Sequence, residues 1–112
     1  MENVGQLFQD FNSIKVGVIG DVMLDTYLLG GVDRISPEAP VPIVSVSKKE
    51  QRIGGAGNVA LNLQALNAQA FVISVTGDDD DATCLNQLFA DSNINTAYTL
   101  RSNHRITTNK TR

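Results

Sequence analysis

The sequence predicts an α/β fold that carries a protruding antiparallel β-flap. Two short apolar runs, residues 15–20 and 70–75, are typical of strands buried on both faces of a parallel sheet. Helical patterns lie before, between and after these runs, so strands and helices alternate along the chain. The segment 26–53 differs because it combines β-forming residues with all three prolines of the chain. We therefore interpret it as a flap outside the buried sheet.

Composition and charge exclude several classes of protein. The 112 residues suffice for one small domain with a hydrophobic core, and the net charge of −3 offers no basic surface for nucleic acid. The single cysteine, Cys84, cannot form an internal disulfide, which is compatible with the cytoplasm, where we expect the protein to act. No stretch has the roughly 20 apolar residues of a membrane span, and no signal peptide is recognisable. We expect neither nucleic acid nor a membrane as a partner.

The first helix and strand follow directly from the apolar spacing. Residues 1–12 form the pattern of an amphipathic helix, with an apolar face of Val4, Leu7, Phe8 and Phe11. The strand at 15–20 ends at Asp21. Because ligands of open α/β sheets bind beyond the carboxyl ends of the strands, Asp21 and Asp25 are candidate ligand-binding residues. Asp21 is equally compatible with a turn or capping role.

The flap consists of two extended segments joined by a loop. Segments 26–32 and 41–46 are rich in β-formers, and the loop at 34–40 contains Pro37 and Pro40, which lack backbone donors. Such a flap can close as a lid over a site or pair with a second subunit.

A glycine-rich stretch separates the flap from the next helix, predicted at 57–67. Gly54, Gly55 and Gly57 lack a Cβ, so the backbone can turn tightly and approach a ligand. The helix also directs its positive dipole end at this turn. The turn can hold an anion or a polyhydroxylated ligand, or it can be only a tight entry into the helix.

The same stretch fits a second motif less well. The spacing Gly55-x-Gly57-x-x-Ala60 matches the dinucleotide fingerprint, with Asp78 near the position of the ribose partner. That fingerprint normally follows a buried strand, whereas the charged segment 48–52 precedes it here.

The remaining elements alternate between helix and strand. Residues 78–81 are four successive aspartates that can cap a helix reaching Asp91 or, alternatively, bind a metal. Cys84 lies within this helix, and we expect it to be a packing residue. Strands are predicted at 94–100 and 106–112. The turn between them contains His104, which we interpret as a surface residue because it has no partner at a metal-ligand or catalytic spacing. The last strand has no terminating signal, so we expect the chain to be part of a longer protein.

Three stretches together resemble one family. The run Gly54-Gly55-Ala56-Gly57-Asn58-Val59-Ala60, with Gly77 and Asp78-Asp79 further on, resembles the first signature of the ribokinase-like (PfkB) carbohydrate kinases. The run from Val18 to Asp25 resembles their first strand and sugar-binding aspartate. The flap sequence Asp33–Pro42 is similar to the family members that phosphorylate D-glycero-β-D-manno-heptose 7-phosphate. The resemblance implies a three-layer αβα core, of which residues 1–112 form the amino-terminal portion, with a β lid at about 26–53.

The resemblance also implies a sugar site. The substrate-binding residues that it implies are Asp25, Gly54, Gly55, Asn58 and Lys110. We add Asp21 because of its position after the first strand. Asp25 would accept hydrogen bonds from sugar hydroxyls, and Lys110, with Arg112, would meet the phosphate of the heptose. Met23 stands where ribokinase has a sugar-binding asparagine, which implies a differently recognised sugar.

The implied reaction is transfer of the ATP γ-phosphate to O1 of the heptose phosphate, with Mg²⁺, on the route to ADP-heptose and lipopolysaccharide. The family's second signature, Gly-Ala-Gly-Asp, contains the catalytic base and does not occur in these 112 residues. We therefore expect an ATP-binding half elsewhere and no kinase activity from this chain alone. We expect the protein to form a homodimer through the lid. The alternatives are another sugar or nucleoside kinase of the family and a non-catalytic sugar-binding or dimerisation module.

Overall fold

The computed structural model describes residues 3–112 and confirms the α/β class. In chain order its elements are α1 (Val4–Asp10), a 3₁₀ turn (Phe11–Ser13), β1 (Lys15–Ile19), β2 (Val22–Ile35), β3 (Pro42–Gly55), α2 (Ala56–Ala65), β4 (Gln69–Gly77), α3 (Asp80–Asp91), β5 (Thr99–Ser102) and β6 (Asn109–Thr111). The strands form two sheets, a parallel one in the order β1-β4-β5 and a second in the order β3-β2-β6. The described residues thus combine a parallel sheet with a separate antiparallel ribbon.

The hydrophobic core lies where helices α2 and α3 pack on one face of the parallel sheet. Val18 and its register partner Val72 point to this face and are buried. Ala60 of α2, with Leu85 and Phe89 of α3, fills the space above them, and all three are fully buried. Burial of each large apolar side chain contributes roughly 1.5–3 kcal/mol, so this layer is the main source of stability.

The other face of the parallel sheet is open, which corrects the prediction that strand 15–20 is buried on both faces. Ile19 is 81% exposed and Leu100 is 64% exposed. Among residues 3–112, only α2 and α3 cover the sheet, because α1 leaves Val4, Leu7 and Phe8 exposed to solvent. The predicted amphipathic helix is therefore present, but its apolar face has no partner within the described residues.

The ribbon formed by β2 and β3 is longer than the predicted flap at 26–53. The two strands pair antiparallel from Val22, opposite Gly55, to Ile35, opposite Pro42. At the base of the ribbon, β6 pairs in parallel with the segment from Leu24 to Thr26. The distal ribbon, residues 28–49, projects away from the core, and the molecule measures 62 × 40 × 20 Å.

Side chains of the ribbon base join the second sheet to α3. Thr26 Oγ1 donates to Asn109 Oδ1 at 2.8 Å, and Asn109 Nδ2 donates to Asp81 Oδ2 at 3.1 Å. Cys84, the half-buried cysteine of α3, donates to Gln51 Oε1 at 3.3 Å. These bonds link β2, β3 and β6 to one helix and hold the base of the ribbon against the core.

The predicted strand at 94–100 is mostly irregular. The regular strand β5 begins only at Thr99, and before it Asn95 alone pairs, as an isolated bridge to Phe71. The Asn95 side chain accepts a hydrogen bond from the backbone N–H of Ala97 at 2.8 Å. This local turn competes with a sheet ladder and explains the interruption.

Asp79 joins the start of α3 to the segment before β6. Its carboxylate accepts hydrogen bonds from the backbone N–H groups of Ala82 and Thr107, both at 2.9 Å. The Thr107 side chain and these N–H groups lower the pKa of Asp79. The predicted capping role of the aspartate run is thus confirmed, with Asp79 as the N-cap of α3.

We expect Gly57→Ala to destabilise the core. A Cβ at Gly57 would clash with Ile53 Cγ2 and lie 3.0 Å from two ring atoms of Phe89, and both neighbours are buried. Overpacking of this kind costs roughly 1–3 kcal/mol, which exceeds the gain in helix propensity near a helix start. Urea denaturation measures the change. Gly31→Ala is the matched control, because a Cβ at Gly31 meets no atom within 4 Å. An unchanged midpoint for Gly57→Ala would contradict the described packing.

We expect Asp79→Asn to flatten the acid side of the stability profile. The pKa of Asp79 in the folded state is lowered from its ordinary value of 3.8. The stabilisation is therefore fully present above pH 3.8 and is lost as the pH falls through the folded-state pKa. The native protein should therefore lose stability below about pH 4 more steeply than the variant. Thermal unfolding between pH 2 and pH 7 tests this, with Asp80→Asn as the control. Parallel profiles for the native protein and Asp79→Asn would count against a stabilising role for the hydrogen bonds of Asp79.

Candidate functional site

The junction of β3 and α2 places the glycine-rich stretch at the base of the ribbon. Gly54 belongs to the ladder, opposite Met23, and the chain turns only at Gly55, which has a φ of 63°. A Cβ at Gly55 would also clash with the carbonyl oxygen of Asp21, and that oxygen accepts a hydrogen bond from Ala56 N at 2.8 Å. Gly55 is thus required both for its backbone angle and for close packing.

Gly54 and Asp25 form the centre of the site. A Cβ at Gly54 would lie 2.7–2.8 Å from Cγ and both carboxylate oxygens of Asp25, so the missing side chain makes room for this carboxylate. Asp25 Oδ1 is buried and has no hydrogen-bond partner among the described residues. Leaving a buried polar atom unpaired costs roughly 1–3 kcal/mol. An ionised carboxylate only accepts hydrogen bonds, so the arrangement suits a ligand that donates hydroxyl groups.

The strand register brings Lys110 beside Asp25. Asp25 lies opposite Arg52 on β3 and opposite Lys110 on β6. Residues directly opposite each other point to the same face of a sheet, so the three side chains form one row across the sheet. Val22 and Leu24 point to the other face, into the core. The row therefore lies on the side of the ribbon that faces away from the core.

Asp21 and Asn58 flank this row without joining it. Asp21 is exposed and lines an open cavity of about 340 Å³, together with Ile73, Tyr98 and Arg105. Asn58 is exposed on the first turn of α2, and its side chain makes no hydrogen bond within the described residues. The structure thus brings Asp25, Gly54, Gly55 and Lys110 together. It leaves the side chains of Asp21 and Asn58 at the margin of this group.

Two further residues of this face escape the motif-based prediction. Arg52 lies over the ring of Tyr27, with Cζ 4.9 Å from the ring centroid. The signal was present in the sequence as period-two spacing, because Tyr27 follows Asp25 by two positions and Arg52 precedes Gly54 by two. The pairing of the two strands was still required to bring them together.

The alternatives to a hydroxyl-binding site find less support. The glycine fingerprint follows a ribbon strand and not a parallel strand, and Asp78 pairs with Arg101 at 3.2 Å, so the context of a dinucleotide site is missing. Within residues 3–112, no three acidic, histidine or cysteine side chains are arranged to hold a metal ion. His104 is exposed in a turn, as predicted. No helix in the described part of the chain is long and apolar enough to cross a membrane.

Solved structures share this fold at low sequence identity. A fructokinase from Halothermothrix orenii superimposes with a TM-score of 0.62 at 23% identity, covering 86% of this chain and 32% of the fructokinase. An aminoimidazole riboside kinase from Salmonella enterica gives a TM-score of 0.63 at 22% identity, with coverages of 87% and 28%. These similarities establish a ribokinase-like fold.

Relatives of higher sequence identity cover from two thirds to nearly all of the chain. The bifunctional protein HldE of Geobacter sulfurreducens is 48% identical over 111 residues, which are 99% of this chain and 23% of the relative. The HldE protein of Pseudomonas fluorescens is 59% identical over 75 residues, or 67% of this chain and 16% of the relative. The chain spans about a quarter or less of the length of these relatives. The pfkB family carbohydrate kinase profile matches residues 13–112, and the chain therefore belongs to the pfkB family of carbohydrate kinases.

Proposed function

We propose that residues 1–112 form the amino-terminal, sugar-binding portion of a kinase domain that phosphorylates O1 of D-glycero-β-D-manno-heptose 7-phosphate with ATP. The product would serve the synthesis of ADP-heptose for lipopolysaccharide. The single observation that carries the proposal is the buried, unpaired Asp25 Oδ1 against Gly54. The high identity to HldE proteins supports the choice of a heptose substrate.

In the proposed complex, the residues of the site orient the sugar. Asp25 accepts hydrogen bonds from sugar hydroxyls, and the missing side chain of Gly54 makes room for this carboxylate. Asn58, whose amide both donates and accepts, contacts a further hydroxyl from the first turn of α2. Asp21 contacts the sugar from the end of β1. Such positioning contributes to the rate by reducing the entropy lost on reaching the transition state.

ATP and the catalytic base are assigned to residues outside this chain. Gly-Ala-Gly-Asp does not occur in the 112 residues, so no proton transfer is assigned to any side chain here. The described residues do not fit a Mg²⁺ site, because they lack a cluster of ligands, and no step is assigned to the metal. On this proposal the 112 residues alone bind sugar and do not transfer phosphate.

The distal ribbon is proposed to act as a lid and as a dimer surface. It carries a set of exposed apolar residues, namely Leu28, Leu29, Val32, Ile35, Val41, Val44 and Val46. Beyond Leu28, whose backbone N–H donates to the Arg112 carbonyl at 2.7 Å, the two strands bond only to each other, so the ribbon can move about its base. An exposed apolar ribbon of this kind favours association with a second copy.

A substrate screen on the full-length protein tests the proposed reaction. We expect ATP-dependent phosphorylation of heptose 7-phosphate and little activity towards fructose, ribose or nucleosides. Activity only on one of those substrates would assign the chain to another branch of the family. No phosphoryl transfer to any of them would favour a non-catalytic sugar-binding module.

We expect Asp25→Asn in the full-length protein to lower kcat/KM for the sugar. The variant loses the ionised acceptor and keeps the shape, and a hydrogen bond to a charged group contributes roughly 1.5–3 kcal/mol, or about 10- to 150-fold. Steady-state kinetics measure the change, and calorimetry should show unchanged ATP binding. Asp33→Asn, an exposed aspartate of the same strand, is the matched control. Native kinetics for Asp25→Asn would remove this residue from the site.

A further inference from the structure

We infer that Asn109 is a positioning residue, which holds β6 in the register that keeps Asp25 in place for the sugar. It acts through a chain of side-chain hydrogen bonds on the core face of the ribbon base. The inference rests on the proposed function, because it explains how the carboxylate assigned to the sugar is fixed. Asn109 itself would not contact the sugar, since it lies opposite Leu24 and therefore on the other face of the sheet from Asp25.

Strand β6 makes β2 an inner strand at Asp25. On one side β2 pairs with β3, and on the other side it pairs with β6 over the segment from Leu24 to Thr26. The backbone N–H of Leu24 donates to the Thr108 carbonyl, and the N–H of Arg112 donates to the Thr26 carbonyl, both at 2.9 Å. These two bonds lie on either side of Asp25. Without them Asp25 would belong to an edge strand, which has unpaired backbone groups and opens more easily.

Little apolar packing holds β6 itself. The strand has three residues, Asn109–Thr111, and all of them are exposed. Backbone hydrogen bonds recur regularly along a parallel pair, so they do not by themselves select one register. The side-chain hydrogen bonds of β6 are therefore the contacts that can specify its position.

The side chains on the core face form one chain of hydrogen bonds with a defined direction. Cys84 donates to Gln51 Oε1, and Gln51 Nε2 donates to Thr26 Oγ1, both at 3.3 Å. Thr26 donates to Asn109 Oδ1 at 2.8 Å, and Asn109 Nδ2 donates to Asp81 Oδ2 at 3.1 Å. A hydroxyl group has one proton and an ionised carboxylate only accepts, so the chain runs from Cys84 to Asp81. It begins and ends on α3 and crosses all three strands of the second sheet.

Asn109 is the member of this chain that fixes β6. Its Oδ1 also accepts from Thr111 Oγ1 at 3.1 Å, so both ends of its amide are bonded. Thr26 is only 2% exposed, and a buried hydroxyl group without a partner is destabilising. A slip of one residue would turn Asn109 to the outer face and remove the partner of both Thr26 and Asp81. The polar groups of the core face therefore favour the register that brackets Asp25.

Kinetics of the full-length enzyme with Asn109→Asp test this role. The new carboxylate still accepts from Thr26 but cannot donate to Asp81, and the two anions repel each other. We expect kcat/KM for heptose 7-phosphate to fall roughly 10- to 100-fold with an unchanged KM for ATP, because a displaced Asp25 misplaces the sugar. Asn103→Asp, the same change at an exposed turn, is the matched control and should keep native kinetics.

The reversed pair Asn109→Asp/Asp81→Asn should recover most of the loss. It places the amide on α3 and the carboxylate on β6, so one hydrogen bond joins them again, while Thr26 keeps its acceptor. If Asn109→Asp does not fold, Asn109→Ser replaces it, because serine loses the amide without adding a charge. Native kinetics for the single variant, or no recovery in the reversed pair, would overturn the inference.

Amide hydrogen exchange in the full-length protein separates this inference from the proposed reaction. The N–H groups of Leu24, Leu28 and Arg112 all bond between β2 and the chain around β6. They should exchange at least about tenfold faster in Asn109→Asp and at the native rate in the reversed pair. Faster exchange with native kinetics would overturn the positioning role, and so would native exchange in the single variant. If exchange follows the expected pattern but no sugar is phosphorylated, the proposed reaction is wrong and the role of Asn109 in holding β6 beside Asp25 stands.

Discussion

The absence of two Cβ atoms at the junction of β3 and α2 determines the geometry of the rest of the site. At Gly55 the chain adopts a left-handed turn against the Asp21 carbonyl, and at Gly54 it leaves room for the Asp25 carboxylate. A methyl group at either position would displace a neighbouring backbone or side-chain group. The same two residues therefore set the direction of α2, the position of the ribbon base and the depth of the carboxylate.

The candidate site uses one face of the ribbon base, while the other face provides stability. Leu24 and Ile53 anchor the ribbon base in the core, and the alternation of side chains then directs Asp25 and Arg52 outward. A shift of one residue in the pairing would exchange the two sets of side chains. Burial of the apolar residues is therefore what specifies the position of the polar ones, and the hydrogen bond from Thr26 to Asn109 extends this arrangement to β6.

Local patterns were sufficient for most elements and insufficient for their pairing. The apolar runs and the aspartate cap identified β1, β4 and α3, because these signals depend on neighbouring residues. The open face of the parallel sheet could not be predicted, since the exposure of Ile19 depends on what packs against it. The place of Lys110 beside Asp25 was also beyond sequence reasoning, because a register between distant strands depends on the whole fold. The Asn95 turn replaced the strand predicted there through a side chain that competes with the ladder.

The parallel pairing of β6 with β2 has a consequence for the order of folding. Thr26 and Asn109 are separated by 83 positions, and helices α2 and α3 lie between them in the chain. Closing so long a loop costs entropy that only the packed intervening elements can offset. The ribbon can form early from its own local contacts, whereas the row of charges around Asp25 is completed only when the core is in place. Completion of this row therefore requires the folding of the whole described chain.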